Sequence, residues 1–264
     1  MIADCFMFFN EFDILEGRLE YLYDVVDRFV IVESNRSHSC KTKPLYLKEN
    51  MSRYKKYKDK ITHVVYKNSN TETPNAWIHE NAQRNYLLEG INDLPDDAWV
   101  MLGDVDEIPN RDKLIALLDL SKTDRRLMTH KRFIFQQRMY YYNLNQNSDY
   151  WWYGTQLVKS KLVKEKMPQY FRDHPLDKDI LKLDDAGWHL SYWGGSEAIR
   201  YKIENFAHQE FNDEKFKSLE NIQDSIKNGR DLYDRSKLGK LVKVDRSKLH
   251  SDLLKYFSKY EKNV

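Results

Sequence analysis

The chain has 264 residues, of which 43 are basic and 41 acidic, so its formal net charge is only +2. Its 41% hydrophobic and 32% charged residues exclude a disordered chain and a membrane-spanning one, and the length suits one large α/β domain. A protein that binds nucleic acid through bulk charge would be more basic, so nucleic acid is not expected as a partner. The two cysteines, Cys5 and Cys40, form no C-x-x-C pair, which argues against a disulfide scaffold or a zinc cluster.

The N-terminal segment, M-I-A-D-C-F-M-F-F-N-E, carries an acid within a short apolar run and no basic residues before it. It does not resemble a signal peptide, and the run is too short to span a bilayer. Together with the cysteine usage, this predicts a cytoplasmic protein, or one at most peripheral to a membrane.

Strand and helix patterns alternate in the first part of the chain. Apolar runs predict strands at Ala3–Phe9, Phe29–Val32, Ile61–Tyr66 and Trp99–Leu102. Apolar residues at helical spacing predict helices at Ile14–Val26 and Ala76–Leu88 and a third that begins at Asp112. This alternation is typical of βαβ units, so we expect an α/β fold with a mostly parallel sheet. The long polar connection at Ser34–Pro44 is expected to be functional or mobile.

The pattern changes after residue 125. Met128–Tyr142 and Tyr150–Lys159 are predicted to be longer, aromatic strands that pair antiparallel, and Ala186–Trp193 to be a short strand. The remaining helical patterns lie at Glu197–Ala207, Asp213–Lys227 and Lys248–Tyr260. Basic residues near the C-terminus alternate with apolar ones and predict a solvated helical face, which leaves open a weak association with anionic membrane surfaces: Lys237, Lys240, Lys243, Arg246 and Lys248.

The segment Trp99–Pro109, W-V-M-L-G-D-V-D-E-I-P, carries the strongest chemical signal. Its apolar run ends in a glycine and three carboxylates, Asp104, Asp106 and Glu107. In α/β sheets ligands bind beyond the carboxyl ends of strands, and two aspartates held close together repel each other unless a cation lies between them. Mg²⁺ and Mn²⁺ prefer such oxygen ligands and complete their coordination with water and phosphates. The segment therefore predicts a metal–diphosphate site.

Spacing separates this site from other acidic motifs. An EF-hand loop that began at Asp104 would need Gly and Glu where Pro109 and Ile115 stand, so that interpretation fails. Phosphatases of the haloacid-dehalogenase type place their Asp-x-Asp after the first strand, whereas this one follows the fourth predicted strand. A nucleotide-sugar transferase, with its metal-binding Asp-x-Asp midway along the chain, fits best. A solvated acidic turn that caps the following helix remains the alternative.

Other polar residues are candidates for the nucleotide end of the site. Glu33 ends the second predicted strand, and Asn10 and Glu11 follow the first, so each could contact a base or ribose. Arg84 could bind a diphosphate from its helix. The alternatives are a helix-capping or salt-bridged acid for Glu33 and an ordinary surface arginine for Arg84.

A second group surrounds the strand A-G-W-H-L-S-Y-W. His189 could be a metal ligand or donate a hydrogen bond to a leaving phosphate, although a lone histidine is more often structural. Asp184 or Asp185 could be the general base that removes a proton from an acceptor hydroxyl. His174 and His208 have no companions at ligand spacing and are expected to be structural or at the surface.

Together these motifs resemble glycosyltransferase family 17, which includes the β-1,4-mannosyl-glycoprotein 4-β-N-acetylglucosaminyltransferases. The resemblance covers roughly residues 3 to 235 and is carried by four motifs: Asp4–Leu19, Val30–Asn35, Asp104–Pro109 and Gly187–Tyr192.

The resemblance implies a GT-A-like α/β fold, a UDP-sugar donor (UDP-N-acetylglucosamine in the known enzymes) and inversion at the anomeric carbon. Asp104 and Asp106 would then bind Mn²⁺ or Mg²⁺, with His189 as a further candidate ligand and Glu107 in support. Asn10, Glu11, Glu33, Arg84 and Asp104 would contact the donor, and Asp185, or else Asp184, would act as the base.

On this basis we expect a single glycosyltransferase domain over residues 1–264. Residues 1–125 would bind the nucleotide sugar and residues 126–235 the acceptor, with a helical tail at 236–264. Rings within Phe133–Tyr142 and Tyr150–Tyr153 would line the acceptor side. Two alternatives stay open: a nucleotidyl or phosphoryl transferase with the same carboxylate–metal chemistry, and a non-catalytic glycan-binding module. The sequence does not indicate an oligomeric state.

Overall fold

The computed structural model describes residues 1–72, 75–123, 132–235 and 241–262. Its centre is a mixed sheet with the strand order β3-β2-β1-β4-β7-β6-β9-β5, to which β8 and β10 add at β6 and β7. The strands are β1 (Ile2–Met7), β2 (Arg28–Ser34), β3 (Ile61–Tyr66), β4 (Trp99–Leu102), β5 (Glu107–Pro109), β6 (Arg132–Tyr141), β7 (Gln146–Lys159), β8 (Leu181–Leu183), β9 (Gly187–Ser191) and β10 (Leu241–Lys243).

Helices cover both faces of this sheet. They are α1 (Phe12–Leu22), α2 (Tyr46–Glu49), α3 (Ala76–Asn85), α4 (Arg111–Thr123), α5 (Ser160–Lys166), α6 (Pro168–Asp173), α7 (Ser196–Asn205), α8 (Glu214–Lys217), α9 (Leu219–Asn228) and α10 (Ser251–Phe257). Short 3₁₀ segments include Met51–Lys60, Tyr86–Gly90, Arg246–Lys248 and Ser258–Tyr260.

The first half of the sheet is parallel. Cys5 of β1 lies opposite Val30 of β2 and Leu102 of β4, and β2 pairs in parallel with β3. Strands β1, β2 and β4 are buried nearly throughout, because helices cover both of their faces, and this explains their almost continuous apolar sequences. The predicted α/β fold with parallel βαβ units is confirmed here.

The second half of the sheet is largely antiparallel, as the longer aromatic strands predicted. β7 pairs antiparallel with both β4 and β6, which places Gln156 opposite Leu102. β9 then lies parallel to β6 and antiparallel to β5, so that Glu107 faces His189 across the sheet. This pairing joins the acidic segment to the G-W-H motif, although 82 positions of sequence numbering separate the two residues, from 107 to 189.

Several predicted elements differ from the structure. The part of the predicted strand Met128–Tyr142 that precedes residue 132 lies outside the described residues. The predicted strand Ala186–Trp193 is longer than the observed strand β9. The predicted helix Asp213–Lys227 is two helices, because Ser218 adopts an extended backbone and caps α9. The tail, predicted as helical, contains β10, since its apolar–basic alternation suits a strand that pairs with β7. The basic residues there form no single helical face; Lys237 and Lys240 lie outside the described residues.

Candidate active site

A cleft of about 650 Å³ opens at the carboxyl ends of β1, β2 and β4. The loop after β4 contributes Asp104 and Asp106 to its lining. The remaining lining includes basic and aromatic side chains from several elements: His38, Trp77, Arg84, Tyr141, Trp152, Arg172, His189, Tyr192, Lys202, His208 and Arg235. Its volume is in the range of small-molecule sites.

A buried ion pair holds the acidic loop in place. Arg18 of α1 makes a bidentate contact with Asp4 of β1, at 2.7 and 2.8 Å, and both side chains are fully buried. The same guanidinium donates to the carbonyl oxygens of Asp104, Val105 and Glu107. The acid inside the first apolar run is thus explained: Asp4 neutralises the arginine that fixes the shape of the loop.

Glu107 is fully buried beneath this loop. One carboxylate oxygen accepts from the backbone N–H of Asp104 at 2.9 Å, and the other accepts from Trp152 Nε1 and from Arg172, both at 2.7 Å. A side chain at Gly154 would place its Cβ 2.3 Å from the Glu107 carboxyl carbon, so only glycine lets β7 approach so closely. Glu107 thus holds the backbone of Asp104 in place, and it has no free face toward the cleft.

Asp104 lies between two guanidinium groups. Its Oδ1 pairs with Arg84 at 2.7 Å and its Oδ2 with Arg172 at 2.6 Å. Burial alone would raise the pKa of Asp104, but Arg172 and Arg84 hold it well below its usual range. The side chain therefore stays ionised, and Arg84, which could have been an ordinary surface residue, is buried in the cleft.

Asp106 has a different set of partners. Lys202 of α7 donates to its Oδ2 at 3.1 Å, and His189 Nε2 lies 3.6 Å from its Oδ1. Burial raises the pKa of this carboxyl less than Lys202 and His189 lower it, so the pKa again falls below its usual range. The distance to His189 is longer than a good hydrogen bond, which leaves Oδ1 open to another partner.

The other residues predicted for the site lie away from the acidic loop or at the edge of the cleft. They are Glu33, Asn10, Glu11, Asp184 and Asp185. Glu33 is fully buried: its carboxylate accepts from the backbone N–H groups of Leu47 and Lys48 in α2 and contacts His63 at 2.7 Å. Glu33 therefore caps a helix and forms an ion pair, which was the alternative to a nucleotide contact, and it does not line the cleft.

Asn10 and Glu11 lie at the edge of the cleft. Glu11 lines it, whereas Asn10 lines a second, smaller cavity beside it.

Asp184 and Asp185 do not reach the cleft. Asp185 makes a half-exposed pair with Arg138, at 2.9 Å, and the carbonyl of Asp184 accepts from Lys113. They precede β9, at the end of that strand remote from Ser191 and the cleft. The prediction of a general base at either residue therefore has no support in the geometry, because proton transfer requires hydrogen-bond reach of the substrate.

Arg172 and Lys202 were not predicted from the sequence, and His208 was not predicted to line the site. The first two contact carboxylates 68 and 96 positions away, and no local spacing signals such pairs. His208, expected to be structural or at the surface, lines the cleft with its ring 4.5 Å from that of the exposed Trp77. Of the long Ser34–Pro44 connection, Arg36, Ser37 and His38 also reach the cleft.

The model of glycosyltransferase family 17 matches residues 1–237. The chain belongs to glycosyltransferase family 17. It is therefore a member of a glycosyltransferase family, and the predicted α/β fold is confirmed, with its parallel strands in the order β3-β2-β1-β4.

Among curated relatives, this family 17 chain is similar to the β-1,4-mannosyl-glycoprotein 4-β-N-acetylglucosaminyltransferases of Homo sapiens and Rattus norvegicus. Each is 32% identical over 116 residues, which cover 41% of this chain. The matched segment spans 22% of the human enzyme and 21% of the rat enzyme, so the chain corresponds to only about a fifth of their length.

The solved structures that match this chain are more distant. A 2-C-methyl-D-erythritol 4-phosphate cytidylyltransferase of Francisella tularensis is 12% identical with a TM-score of 0.40, over 69% of this chain and 90% of that one. Glucosyl-3-phosphoglycerate synthase of Mycobacterium tuberculosis, in complex with Mn²⁺ and UDP-glucose, is 12% identical with a TM-score of 0.37, over 71% and 70%. Within the described residues, no helix of this chain is both long and apolar enough to cross a membrane.

Proposed function

We propose that this family 17 protein is an inverting, divalent-metal-dependent glycosyltransferase that moves N-acetylglucosamine from a UDP-sugar to a glycan hydroxyl. The observation that carries the proposal is the pair Asp104 and Asp106, held at the end of β4 on the surface of a cleft large enough for a nucleotide sugar. The sugar is taken from the names of the curated relatives, which are N-acetylglucosaminyltransferases.

The residues around Asp106 suit a divalent ion. Asp106 Oδ1 and His189 Nε2 lie 3.6 Å apart, and carboxylate oxygen and imidazole nitrogen are both ligands that Mn²⁺ accepts. Among the described residues, no three His, Cys, Asp or Glu side chains lie close enough to hold an ion by themselves. This fits a site that is completed by diphosphate oxygens and water. When bound, the ion would neutralise charge on the diphosphate leaving group.

The chain also supplies its own cations. Arg84 is buried beside Asp104 and Arg172 is partly exposed there, and guanidinium groups bind phosphate oxygens in a bidentate manner. Lys202 adds a third positive charge next to Asp106. Fixed donors of this kind stabilise charge as it develops on a leaving group, and they need no reorganisation during the reaction. The same side chains hold the carboxylates and line the cleft in which we propose that the diphosphate binds.

A screen of nucleotide sugars tests the proposal. The purified chain is incubated with UDP-N-acetylglucosamine, UDP-glucose, UDP-galactose or a GDP-sugar, each with Mn²⁺ or with EDTA, and its melting temperature is measured. We expect the largest rise with UDP-N-acetylglucosamine and Mn²⁺, because a ligand that binds only the folded state stabilises it. UDP release in the presence of methyl β-D-mannoside then reports transfer. Release of sugar 1-phosphate would instead indicate transfer of the nucleotidyl group, and no response to any donor would contradict the proposal.

A further inference from the structure

A second cavity, of about 310 Å³, adjoins the cleft. Three side chains line both spaces: Glu11, Asp106 and Lys202. Arg84 and Arg172, by contrast, line the cleft but not the second cavity. The two spaces thus meet at the proposed metal-binding carboxylate, and the guanidinium groups that suit a diphosphate lie on one side only.

The second cavity has the character of a sugar site. Trp193 and Phe12 contribute half-buried rings to its wall, and Asn10, Asp13 and Arg53 contribute polar groups. Sugars bind through such combinations, because ring faces cover their C–H surfaces while side chains bond their hydroxyl groups.

Glu11 is oriented by the backbone at the junction of the two spaces. Its Oε2 accepts from the N–H groups of Phe9 and Asn10, at 3.1 and 3.0 Å. Among the hydrogen bonds of the described residues, none involves the other oxygen, Oε1. Asp13 of the same cavity differs, since Arg53 and Lys262 contact its two oxygens. Glu11 therefore carries an oriented carboxylate oxygen that is available as a proton acceptor.

Inversion requires the nucleophile and the leaving group to lie on opposite faces of the anomeric carbon. A diphosphate bound by Arg84 and Arg172 would point a sugar toward Asp106, where the second cavity begins. An acceptor hydroxyl that approaches from this cavity would reach the sugar from the side remote from the guanidinium groups, next to Glu11. Asp184 and Asp185 lie in neither space.

We infer that the second cavity binds the acceptor sugar and that Glu11 is the general base. The acceptor hydroxyl gives its proton to Glu11 Oε1 as its oxygen bonds to the anomeric carbon. The bond from that carbon to the diphosphate oxygen breaks, and its electron pair leaves with UDP. The inference rests on the proposed function, because it assigns a site and a residue within the same reaction.

The variant Glu11→Gln tests the base. The amide oxygen of glutamine still accepts from Phe9 and Asn10, so the loop keeps its shape while the proton acceptor is lost. With UDP-N-acetylglucosamine, Mn²⁺ and methyl β-D-mannoside, we expect kcat to fall at least about 100-fold. The dissociation constant of the donor, measured by calorimetry, should change less than about twofold. Asp185→Asn, the same chemical change outside both spaces, is the matched control and should keep its kcat.

The variant Ala198→Phe tests the cavity. Ala198 lines the second cavity and not the cleft, so a phenyl ring there should raise the KM for methyl β-D-mannoside at least about tenfold and leave donor binding unchanged. Retained kcat in Glu11→Gln would overturn the role of the base, and an unchanged acceptor KM in Ala198→Phe would overturn the acceptor site. Failure of the wild type to bind any UDP-sugar or to transfer to the mannoside would instead contradict the proposed function itself.

Discussion

The pairs Asp104–Asp106 and Asp184–Asp185 look alike in the sequence but have different surroundings in the fold. Each pair adjoins a short apolar strand and a glycine. The first pair lies in a cleft and is contacted by Arg84, Arg172 and Lys202. The second lies outside the cleft, where Asp185 has one half-exposed partner. Cations that converge on a carboxylate from distant elements therefore distinguish a site better than local acidity does.

Removing the charge of Asp106 should have the largest effect. Asp106→Asn is expected to lower kcat by about 100- to 1000-fold and to abolish the Mn²⁺-dependent part of donor binding. The reason is that a neutral amide carries no charge and binds a divalent ion much more weakly than a carboxylate does. Turnover and calorimetric titrations with and without Mn²⁺ measure this, and circular dichroism checks the fold. Donor binding that depends on Mn²⁺ as strongly as in the wild type would refute the metal assignment.

Glu107 is the buried carboxylate beneath the loop that carries Asp104 and Asp106. Glu107→Gln should lower the free energy of unfolding by about 3 kcal/mol, since it leaves Arg172 and Trp152 facing an uncharged amide in a fully buried position. Urea unfolding measures the loss. Glu20→Gln is the control, because its pair with Lys259 is exposed and such pairs contribute at most about 1 kcal/mol. Equal free energies of unfolding for the two variants would show that the contacts of Glu107 with Arg172 and Trp152 do not stabilise the fold.

Lys43 is a buried side chain whose charged form is disfavoured by burial. Burial lowers its pKa from 10.5 to about 8, more than the carboxylates of Glu33, Glu11 and Glu49 raise it. Lys43→Met should therefore raise the free energy of unfolding at pH 7 by about 2 kcal/mol. Because the pKa is lower in the folded state, the wild type gains stability between pH 8 and 10.5, as the folded amine loses its proton first.

Unfolding of wild type and Lys43→Met in parallel measures this effect. The difference in unfolding free energy should be largest at pH 7 and should shrink by pH 10. Comparing the two chains at each pH cancels the titration of all other groups. A difference that stays constant with pH would mean that packing of the methionine, rather than loss of the charge, causes it.

The smallest effect is expected at the exposed ion pair between Asp185 and Arg138. Asp185→Asn should keep kcat and the donor dissociation constant within about twofold and should change stability by less than about 1 kcal/mol, because exposed ion pairs contribute little. Steady-state kinetics and urea unfolding measure both quantities. A loss of kcat as large as that of Asp106→Asn would remove the distinction between the two acidic pairs.

Much of the fold and the centre of the site follow from local sequence. The parallel strands were predictable because each is a short apolar run bounded by polar residues, as at Trp99–Leu102. The acidic segment was identified because Asp104 and Asp106 follow such a strand directly. The split of α8 from α9 and the strand in the tail were missed, since the period of a few apolar residues does not separate a helix from a strand or locate a break.

The functions of single acids were harder to predict. Glu33 lies near the end of β2 and Glu11 follows β1 of the same sheet, yet Glu33 caps α2 and Glu11 lies between two cavities. The difference depends on which backbone N–H groups come to lie beside each carboxylate, and neighbours along the chain do not specify this for Glu33.

By itself the sequence determined that strands and helices alternate, that a carboxylate pair ends the fourth strand, and that a second motif contains His189. Only the tertiary structure decided which cations meet those carboxylates, that β5 and β9 bring Glu107 opposite His189, and that Asp185 stays outside. The physical reason is one of range. Propensity and periodicity act over a few residues, whereas ion pairs, burial and cavities arise between side chains that the sheet brings together from distant parts of the chain.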